Sequence, residues 1–289
     1  MTTPTVPDSR SIGIIGTGRL AASLAAALLE AGYPVVAIAG RDAATSEALA
    51  TRLGSGVLAV PTPTEVLGRA QVVFLAVPDS TVGPLAAVLP WHADHWAVHC
   101  SGAVRLDALR PVVDAGGVAG CLHPLQSFPS RGPEPQRFQH VTCGVEAAEP
   151  LGAYLGQIAQ RVGARSVRLE GIDRARYHAA AVFASNYAVA LMRLAERTWT
   201  SAGLPEDAAR EALAPLLAAV AENVGRLDLA AALTGPIARG DVSTVEAHLA
   251  ALEALPDVAR TYRMLGAELL SLPIPLPEDA RRALEDLLR

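Results

Sequence analysis

The sequence Ser11-Ile-Gly-Ile-Ile-Gly-Thr-Gly-Arg-Leu-Ala21 joins an apolar run to a glycine-rich turn, and the alanine-rich run Ala22–Ala31 follows it. This order predicts a strand, a tight turn and a helix whose N-terminus faces an anion. The two flanking elements disfavour the alternative, a glycine turn with only a structural role. The pattern therefore predicts a dinucleotide site, with cofactor contacts at Gly16, Thr17, Gly18, Arg19 and Leu20.

The end of the second apolar run predicts which dinucleotide binds. Val35–Ala39 leads into Gly40-Arg41-Asp42. An NAD site places an acidic residue here for the ribose 2′-hydroxyl, whereas an arginine pairs with a 2′-phosphate. We expect Asp42 to cap the helix that begins at Ala43. Arg41 therefore favours NADP(H) over NAD(H).

Apolar, strand-like runs alternate with helical patterns through the first half of the chain. They predict an α/β fold, a Rossmann-type parallel sheet that helices cover on both faces. The expected strands are Ile12–Ile15, Val35–Ala39, Val57–Val60, Val72–Val77, Trp96–Cys100, Val118–Leu122, His140–Val145 and Ser166–Leu169, with a helix over Leu151–Gly163.

From Gly171 onward the pattern is helical. We expect a flexible tail over residues 1–10, a cofactor-binding domain over 11–170 and an all-α domain over 171–289. Pro215 is expected to kink its helix or to start a new segment. The expected helices are Asp173–Ser201, Glu206–Gly225, Val242–Ala254, Val258–Leu270 and Pro277–Leu288.

Composition excludes several classes of function. The 289 residues carry a net charge of −5, and all 24 basic residues are arginine. Without lysine, a lysine Schiff base, a lysine general acid and a Walker-type phosphate loop are excluded. The acidic balance and scattered arginines argue against nucleic acid and a charged membrane surface.

The remaining bulk features predict a cytoplasmic protein. No apolar stretch is long enough to span a bilayer, and the polar segment Met1–Ser11 is unlike a signal peptide. Cys100, Cys121 and Cys143 lie in apolar segments without metal-site spacing, so we expect buried, reduced thiols.

Two predicted strands end in residues that would face the nicotinamide half of the cofactor. Val77 and Pro78 follow one strand, and Ser101 follows the next. Ligands of such sheets bind at the carboxyl ends of the strands. Ser101 could contact cofactor or substrate, or it could simply cap a turn; the sequence favours neither.

Four motifs carry a resemblance: HCSGA (99–103), CLHPLQSF (121–128), YHAAAVFASNY (177–187) and ALTGPIARGD (232–241). Together they resemble the bacterial family in which a Rossmann-like domain precedes a DUF2520 domain. That family is related to pyrroline-5-carboxylate reductases and to the 6-phosphogluconate-dehydrogenase-like group. Its members are described as NADP oxidoreductases, and some resemble an alternative class of ketopantoate reductase in pantothenate synthesis.

The resemblance implies a helical C-terminal domain that forms a homodimer, with the site between the domains. Better-known ketopantoate reductases use a lysine and an asparagine on their first long helix. This chain has no lysine, so a ketopantoate reductase of this sequence would need other groups.

Reduction of a 2-oxo acid needs a proton donor for the forming alkoxide and a polar or cationic partner for the carboxylate. His178, Ser185 and Asn186 lie on one predicted helix. Ser185 falls ~20° and Asn186 ~80° from His178, with Arg174 one turn earlier. Asn186 also runs against composition, since the chain has two asparagines. The alternative is a hydrogen-bonding patch between helices.

His123 is a second candidate proton donor. It stands at the end of a predicted strand, before Pro124. An ordinary imidazole titrates near pH ~6.5, so either His123 or His178 could donate. The alternative for His123 is a loop histidine bonded to backbone.

A second loop offers groups for the substrate carboxylate. Thr234 could hold an anion with nearby backbone N–H groups, Arg239 could pair with a carboxylate, and Asp241 could orient Arg239 or cap the next helix. A comparable loop approaches the site in the reductases that the chain resembles. The alternative is an ordinary Gly/Pro connection between helices.

Two other readings are disfavoured. His92, His95 and His99 span a loop and a strand instead of one helix face, so we expect no metal site. A GxSxG nucleophile elbow is absent from the sequence, which disfavours a serine hydrolase.

The leading hypothesis is an NADPH-dependent oxidoreductase that reduces a small 2-oxo acid, most readily 2-dehydropantoate (ketopantoate). His178 or His123 would supply the proton, Asn186 and Ser185 would hold polar groups, and Arg239 would take the carboxylate. One rival is reduction of a cyclic imine, as in pyrroline-5-carboxylate reductase. Another is a non-catalytic NADP-binding regulatory protein.

Overall fold

Strands dominate the first part of the chain. A computed structural model describes residues 10–289; the tail predicted over residues 1–10 lies almost wholly outside them. The strands are β1 (Ile12–Ile15), β2 (Val35–Ala39), β3 (Leu58–Ala59), β4 (Val72–Leu75), β5 (Trp96–His99), β6 (Val118–Pro124), β7 (Thr142–Ala147) and β8 (Arg165–Arg168). Each overlaps a run predicted from the sequence.

Helices separate these strands and then make up the rest of the chain. In the first part they are α1 (Arg19–Glu30), α2 (Ala43–Leu53), α3 (Pro63–Leu67), α4 (Asp79–Val88), α5 (Arg110–Asp114), α6 (Leu151–Arg161) and α7 (Arg174–Ala184). They continue as α8 (Asn186–Ser201), α9 (Glu206–Arg226), α10 (Leu229–Ala232), α11 (Pro236–Arg239), α12 (Val242–Ala251), α13 (Pro256–Leu270) and α14 (Glu278–Leu287).

The strands form one sheet in the order β3-β2-β1-β4-β5-β6-β7-β8. The order reverses direction beside β1, as in a doubly wound dinucleotide-binding fold. The predicted α/β class, with a Rossmann-type first domain and a helical C-terminal region, is confirmed. The expectation of a parallel sheet is wrong at one pair, because β7 runs antiparallel to β6. A loop and a short turn join these two strands without a crossover helix.

The sheet has a hydrophobic core on each face. On β4, Val72 and Phe74 point into one core with α1 and α6, and Val73 and Leu75 point into the other with α3 and α4. Because successive strand residues face opposite sides, a continuous apolar run is what a strand buried on both faces requires. The carboxyl edge of this rigid sheet is where the candidate site lies.

The chain divides into two compact units, one up to Phe183 and one over Ala184–Arg289. Helix α7 therefore belongs to the first unit. The last strand ends just before the domain boundary predicted between residues 170 and 171. As a domain boundary, that position stays a prediction. All regular elements of the second unit are helices.

The prediction of one long helix over Asp173–Ser201 is wrong, because the helix is interrupted at Ser185, between α7 and α8. Ser185 has φ −125° and ψ −71°, and its hydroxyl donates to the amide oxygen of Asn186 at 3.0 Å. Serine and asparagine side chains compete for local hydrogen bonds and so favour helix ends. By contrast, α9 runs through Pro215 without starting a new segment.

The predicted buried thiols are confirmed, since Cys100, Cys121 and Cys143 are free and buried. Among the described helices, none combines the length and apolar character that a bilayer span demands. Within residues 10–289, no three His, Cys, Asp or Glu side chains are grouped so as to hold a metal ion. His95 instead bonds the backbone oxygen of Leu67 at 3.1 Å.

Candidate functional site

The turn after β1 is built for close approach by a ligand. Gly16 has φ +128°, and a Cβ there would lie 2.2 Å from the carbonyl oxygen of Ala76, so only glycine fits. Gly18 is exposed and has open space where a Cβ would stand. It begins α1 without a side-chain cap, which leaves the first N–H groups of the helix free for an anion. Arg19 is exposed, and Thr17 and Leu20 are half-buried, beside the same turn.

The end of β2 lies beside this turn. A Cβ on Gly40 would stand 2.6 Å from the hydroxyl oxygen of Thr17. The backbone N–H of Gly40 donates to the hydroxyl of Ser46 at 3.0 Å. Asp42 caps α2 by accepting from the Thr45 N–H at 2.8 Å, as predicted. Arg41 is exposed and forms no ion pair with any of residues 10–289, so its guanidinium is available to a phosphate.

The structure places Val77, Pro78 and Ser101 at the carboxyl ends of β4 and β5. Val77 is half-buried and Pro78 is exposed at the start of α4. Ser101 is buried, and its hydroxyl accepts from the N–H groups of Ala103 and Val104 at 3.1 and 3.0 Å. Ser101 therefore caps a turn, which was one of its two predicted roles, and only its own proton is left for a ligand.

Arg174 attaches α7 to this edge of the sheet. Its side chain is only 4% exposed, and its Nη2 donates to the carbonyl oxygens of Ser101 and Val104 at 2.8 and 3.2 Å. The other amino group pairs with Glu146 of β7 at 3.4 Å. One guanidinium thus joins α7 to both ends of the 101–104 turn and to a neighbouring strand.

The anchored helix brings two aromatic side chains to His123 on β6. The Tyr177 hydroxyl lies 2.9 Å from Nδ1 of His123. The rings of His123 and His178 have centroids 6.2 Å apart. Both imidazoles close around Gly102, where a Cβ would lie 2.8 Å from Nε2 of His123 and 2.8 Å from Nδ1 of His178. Gly102 therefore lets both histidines occupy one small space.

Burial keeps His123 neutral. The pKa of His123 is lowered to about 4, first by burial and then by His178 and the Arg174 cation, against a smaller opposing effect of Asp79. Burial also raises the pKa of the Tyr177 phenol to about 12, so it stays protonated. His123 is therefore a neutral imidazole near pH ~7 and not a reservoir of protons. Both predicted histidines lie in the same cluster.

The sequence analysis missed Tyr177, and it gave Arg174 no anchoring role. The YH pair and the glycine after Ser101 were visible signals, yet they could not show which side chains meet. Ser101 and Arg174 are 73 residues apart in the chain. Contacts of that separation depend on how the sheet edge and α7 pack, which no local pattern encodes.

The other predicted side chains lie in the helical unit. Ser185 and Asn186 are exposed and bond each other. The prediction that they share one helix with His178 is wrong, because α7 ends at Ala184. Thr234 and Arg239 are exposed around the short helix α11. Asp241 caps α12 through the Thr244 N–H at 3.1 Å, the second of its two predicted roles.

Comparison with known families agrees with this architecture. The family model of the Rossmann-like domain matches residues 2–124, and that of DUF2520, a domain of unknown function, matches residues 141–269. The chain therefore has a Rossmann-like domain followed by a DUF2520 domain, as the motifs predicted. No curated protein matches its sequence.

Solved structures extend the likeness over most of the chain. A Bacteroides fragilis protein, provisionally described as an NADP oxidoreductase, is 26% identical with TM-score 0.72, over 90% of this chain and 98% of that one. A Thermotoga maritima protein is 26% identical with TM-score 0.69, over 96% and 100%. A pyrroline carboxylate reductase of Plasmodium falciparum, solved with NADP bound, shares the fold at 13% identity and TM-score 0.61, over 98% and 100%. The chain thus has a fold found in NADP-dependent oxidoreductases.

Replacement of Arg174 by alanine should loosen α7 from the sheet. The change leaves the two carbonyl oxygens and Glu146 without their charged partner, which costs about 3 kcal/mol of unfolding free energy. Urea unfolding followed by circular dichroism measures this loss. Arg176→Ala is the control, because that side chain is 89% exposed; its midpoint should stay at the wild-type value. Equal midpoints for all three proteins would show that Arg174 anchors nothing.

Proposed function

We propose that this chain, a Rossmann-like domain followed by a DUF2520 domain, is an NADPH-dependent reductase of a small 2-oxo acid. The observation that carries the proposal is the pairing of His123 and His178 around Gly102, at the carboxyl edge of the sheet that also bears the Gly16–Gly18 turn. Imidazoles at that edge stand where ligands of open α/β sheets bind. An edge built only for packing has no need of two converging imidazoles.

The residues of the first turn fit NADP(H). The open space at Gly18 and the uncapped start of α1 suit a pyrophosphate, and the exposed Arg41 suits a 2′-phosphate. When bound, the reduced cofactor supplies a hydride to the substrate carbonyl carbon. Val77 and Pro78 would border its nicotinamide half.

The two histidines take different roles in the proposal. As the carbonyl carbon gains the hydride, the π electrons move to oxygen, which then needs one proton. His178 donates that proton and regains one from solvent. His123 stays neutral because burial depresses its pKa to about 4, and it stabilises the oxygen by hydrogen bonding.

The substrate carboxylate needs a cation that is still available. Arg174 is buried, and its two amino groups already contact Ser101, Val104 and Glu146, so we look to another arginine. Arg239 is exposed beside Thr234 on the GPIARGD loop and suits bidentate pairing. Ser185 and Asn186 offer amide and hydroxyl groups to the polar end of the substrate. Among 2-oxo acids, 2-dehydropantoate is the substrate we propose, because the motifs resemble those of an alternative ketopantoate reductase class.

Reduction of a cyclic imine is the second candidate. The shared fold with a pyrroline carboxylate reductase favours it at the level of architecture. An imine carries its own basic nitrogen and needs less help from a proton donor than a ketone does. The two candidates therefore differ in how strongly they depend on His178. A non-catalytic NADP-binding regulator depends on neither histidine.

Purified protein mixed with NADPH and 2-dehydropantoate tests the proposal. The near-ultraviolet absorbance of NADPH should fall as pantoate accumulates. Turnover only with pyrroline-5-carboxylate would select the imine reductase. Tight NADPH binding with no turnover of either compound would leave the regulatory protein and refute the reductase.

Two variants and a pH series assign the proton donor in that assay. His178→Gln should lower kcat about 100-fold, the usual contribution of a general acid. The exposed His92→Gln should leave kcat unchanged.

The pH dependence of activity tests the neutral state of His123. Activity needs neutral His123, so the contribution of His123 should be complete above its pKa and should disappear as pH falls through about 4. If the contribution of His123 to activity already disappears near pH ~6.5, the ordinary imidazole pKa, the neutral state assigned to His123 is contradicted.

Arg41→Ala should separate the two nicotinamide cofactors. Loss of a charged hydrogen-bonded pair should weaken NADPH binding about 30-fold and leave NADH binding unchanged. Titration calorimetry measures both affinities. The exposed Arg69→Ala is the matched control. Equal losses for both cofactors in Arg41→Ala would refute the role of Arg41.

The helical unit also supports a homodimer. Helix α9 has one buried side chain, Ala209, while Leu216, Val220 and Val224 are 64%, 53% and 46% exposed on one face. An apolar stripe of this kind is typical of a covered interface.

Light scattering of the purified protein tests the dimer. The measured mass should be twice the 30.0 kDa of one chain, and Val220→Glu should halve that mass. The exposed Val88→Glu in the first unit is the control. A wild-type mass of one chain would refute the dimer.

A further inference from the structure

The Tyr177 phenol contacts the His123 imidazole through a hydrogen bond and through the two rings. The phenol oxygen lies 2.9 Å from Nδ1, and the two rings meet edge to face at 5.6 Å and 77°. Within residues 10–289 the phenol has no other hydrogen-bond partner. A Cβ on Gly144 would lie 2.6 Å from the phenol oxygen, so that glycine makes room for it.

The direction of this hydrogen bond follows from what each group can do. A half-buried phenol that keeps its proton needs an acceptor, and Nδ1 is the acceptor within reach. A neutral imidazole has one N–H and one bare nitrogen. If Nδ1 accepts from the phenol, the proton of His123 must sit on Nε2.

The protonated nitrogen faces the space that the two histidines share. The position of an added Cβ on Gly102 is 2.8 Å from Nε2 of His123 and equally far from Nδ1 of His178. Nδ1 of His178 is buried and has no hydrogen-bond partner within the described chain. Nε2 of His123 therefore lies beside Gly102, next to the space that a larger side chain at that position would fill.

We propose that Tyr177 is a positioning residue whose phenol holds His123 in the Nε2–H tautomer, so that this nitrogen always offers a proton to a ligand oxygen. Tyr177 itself touches no reacting atom. The role toward a carbonyl substrate rests on the proposed reductase function, whereas the tautomer is a property of the protein alone.

The chain supplies a matched control in its helical unit. Tyr262 bonds Nδ1 of His248 at the same 2.9 Å, with rings 5.8 Å apart at 86°. Tyr262→Phe removes an equivalent hydrogen bond from a pair outside the His123 cluster. Any effect seen in Tyr177→Phe and not in Tyr262→Phe then belongs to the pair on the sheet edge.

Long-range nitrogen–proton NMR spectra of the ¹⁵N-histidine-labelled full chain test the tautomer without substrate or cofactor. Wild-type His123 should show its proton on Nε2 and a hydrogen-bonded, bare Nδ1. Tyr177→Phe should shift the Nδ1 resonance of His123, and Tyr262→Phe should leave it in place. A proton on Nδ1 in the wild type, or an unshifted Nδ1 in Tyr177→Phe, would overturn the proposal.

Kinetics of the same variants test the positioning role. Tyr177→Phe should lower kcat about tenfold with KM nearly unchanged, the loss expected for one hydrogen bond in the transition state. Tyr262→Phe should match the wild type. Unchanged kcat in Tyr177→Phe would overturn the role. If no carbonyl compound is turned over, the reductase function fails, while the NMR result still decides the tautomer.

Discussion

The buried guanidinium of Arg174 holds the candidate site together. It joins α7 to the turn after β5 and to Glu146 on β7, and α7 carries Tyr177 and His178. An arginine suits this place because its planar fork donates in several directions at once and stays charged when buried. That contact positions the helix that brings the phenol and the second imidazole to His123.

The same cation helps to set the charge of the site. Together with burial it favours neutral forms of His99 and His123, whose pKa values fall to about 3 and about 4. The cluster therefore offers uncharged hydrogen-bond donors, while both amino groups of the buried Arg174 are already engaged by the protein. In a chain without lysine, anion binding falls to other arginines, of which Arg41 and Arg239 are exposed at the two predicted loops.

Local chemistry made much of the fold predictable. Continuous apolar runs marked the strands, and the GTG turn with its flanking elements marked the first βαβ unit, because those features depend on neighbours in the chain. The break at Ser185, where the serine hydroxyl bonds Asn186, escaped prediction because the surrounding sequence pattern is strongly helical. The Arg174 contacts escaped because they join segments about seventy residues apart. The candidate histidines were found through their places at a strand end and on a helix, but their meeting at Gly102 was not.

Transfer of deuterium tests whether this protein reduces a carbonyl group with a hydride from NADPH. The protein would be incubated with 2-dehydropantoate and NADPH that carries two deuterium atoms on the transferring carbon of its nicotinamide ring, and the product analysed by mass spectrometry. We expect pantoate with one deuterium on its new carbinol carbon. Pantoate without deuterium, or no pantoate at all, would contradict it.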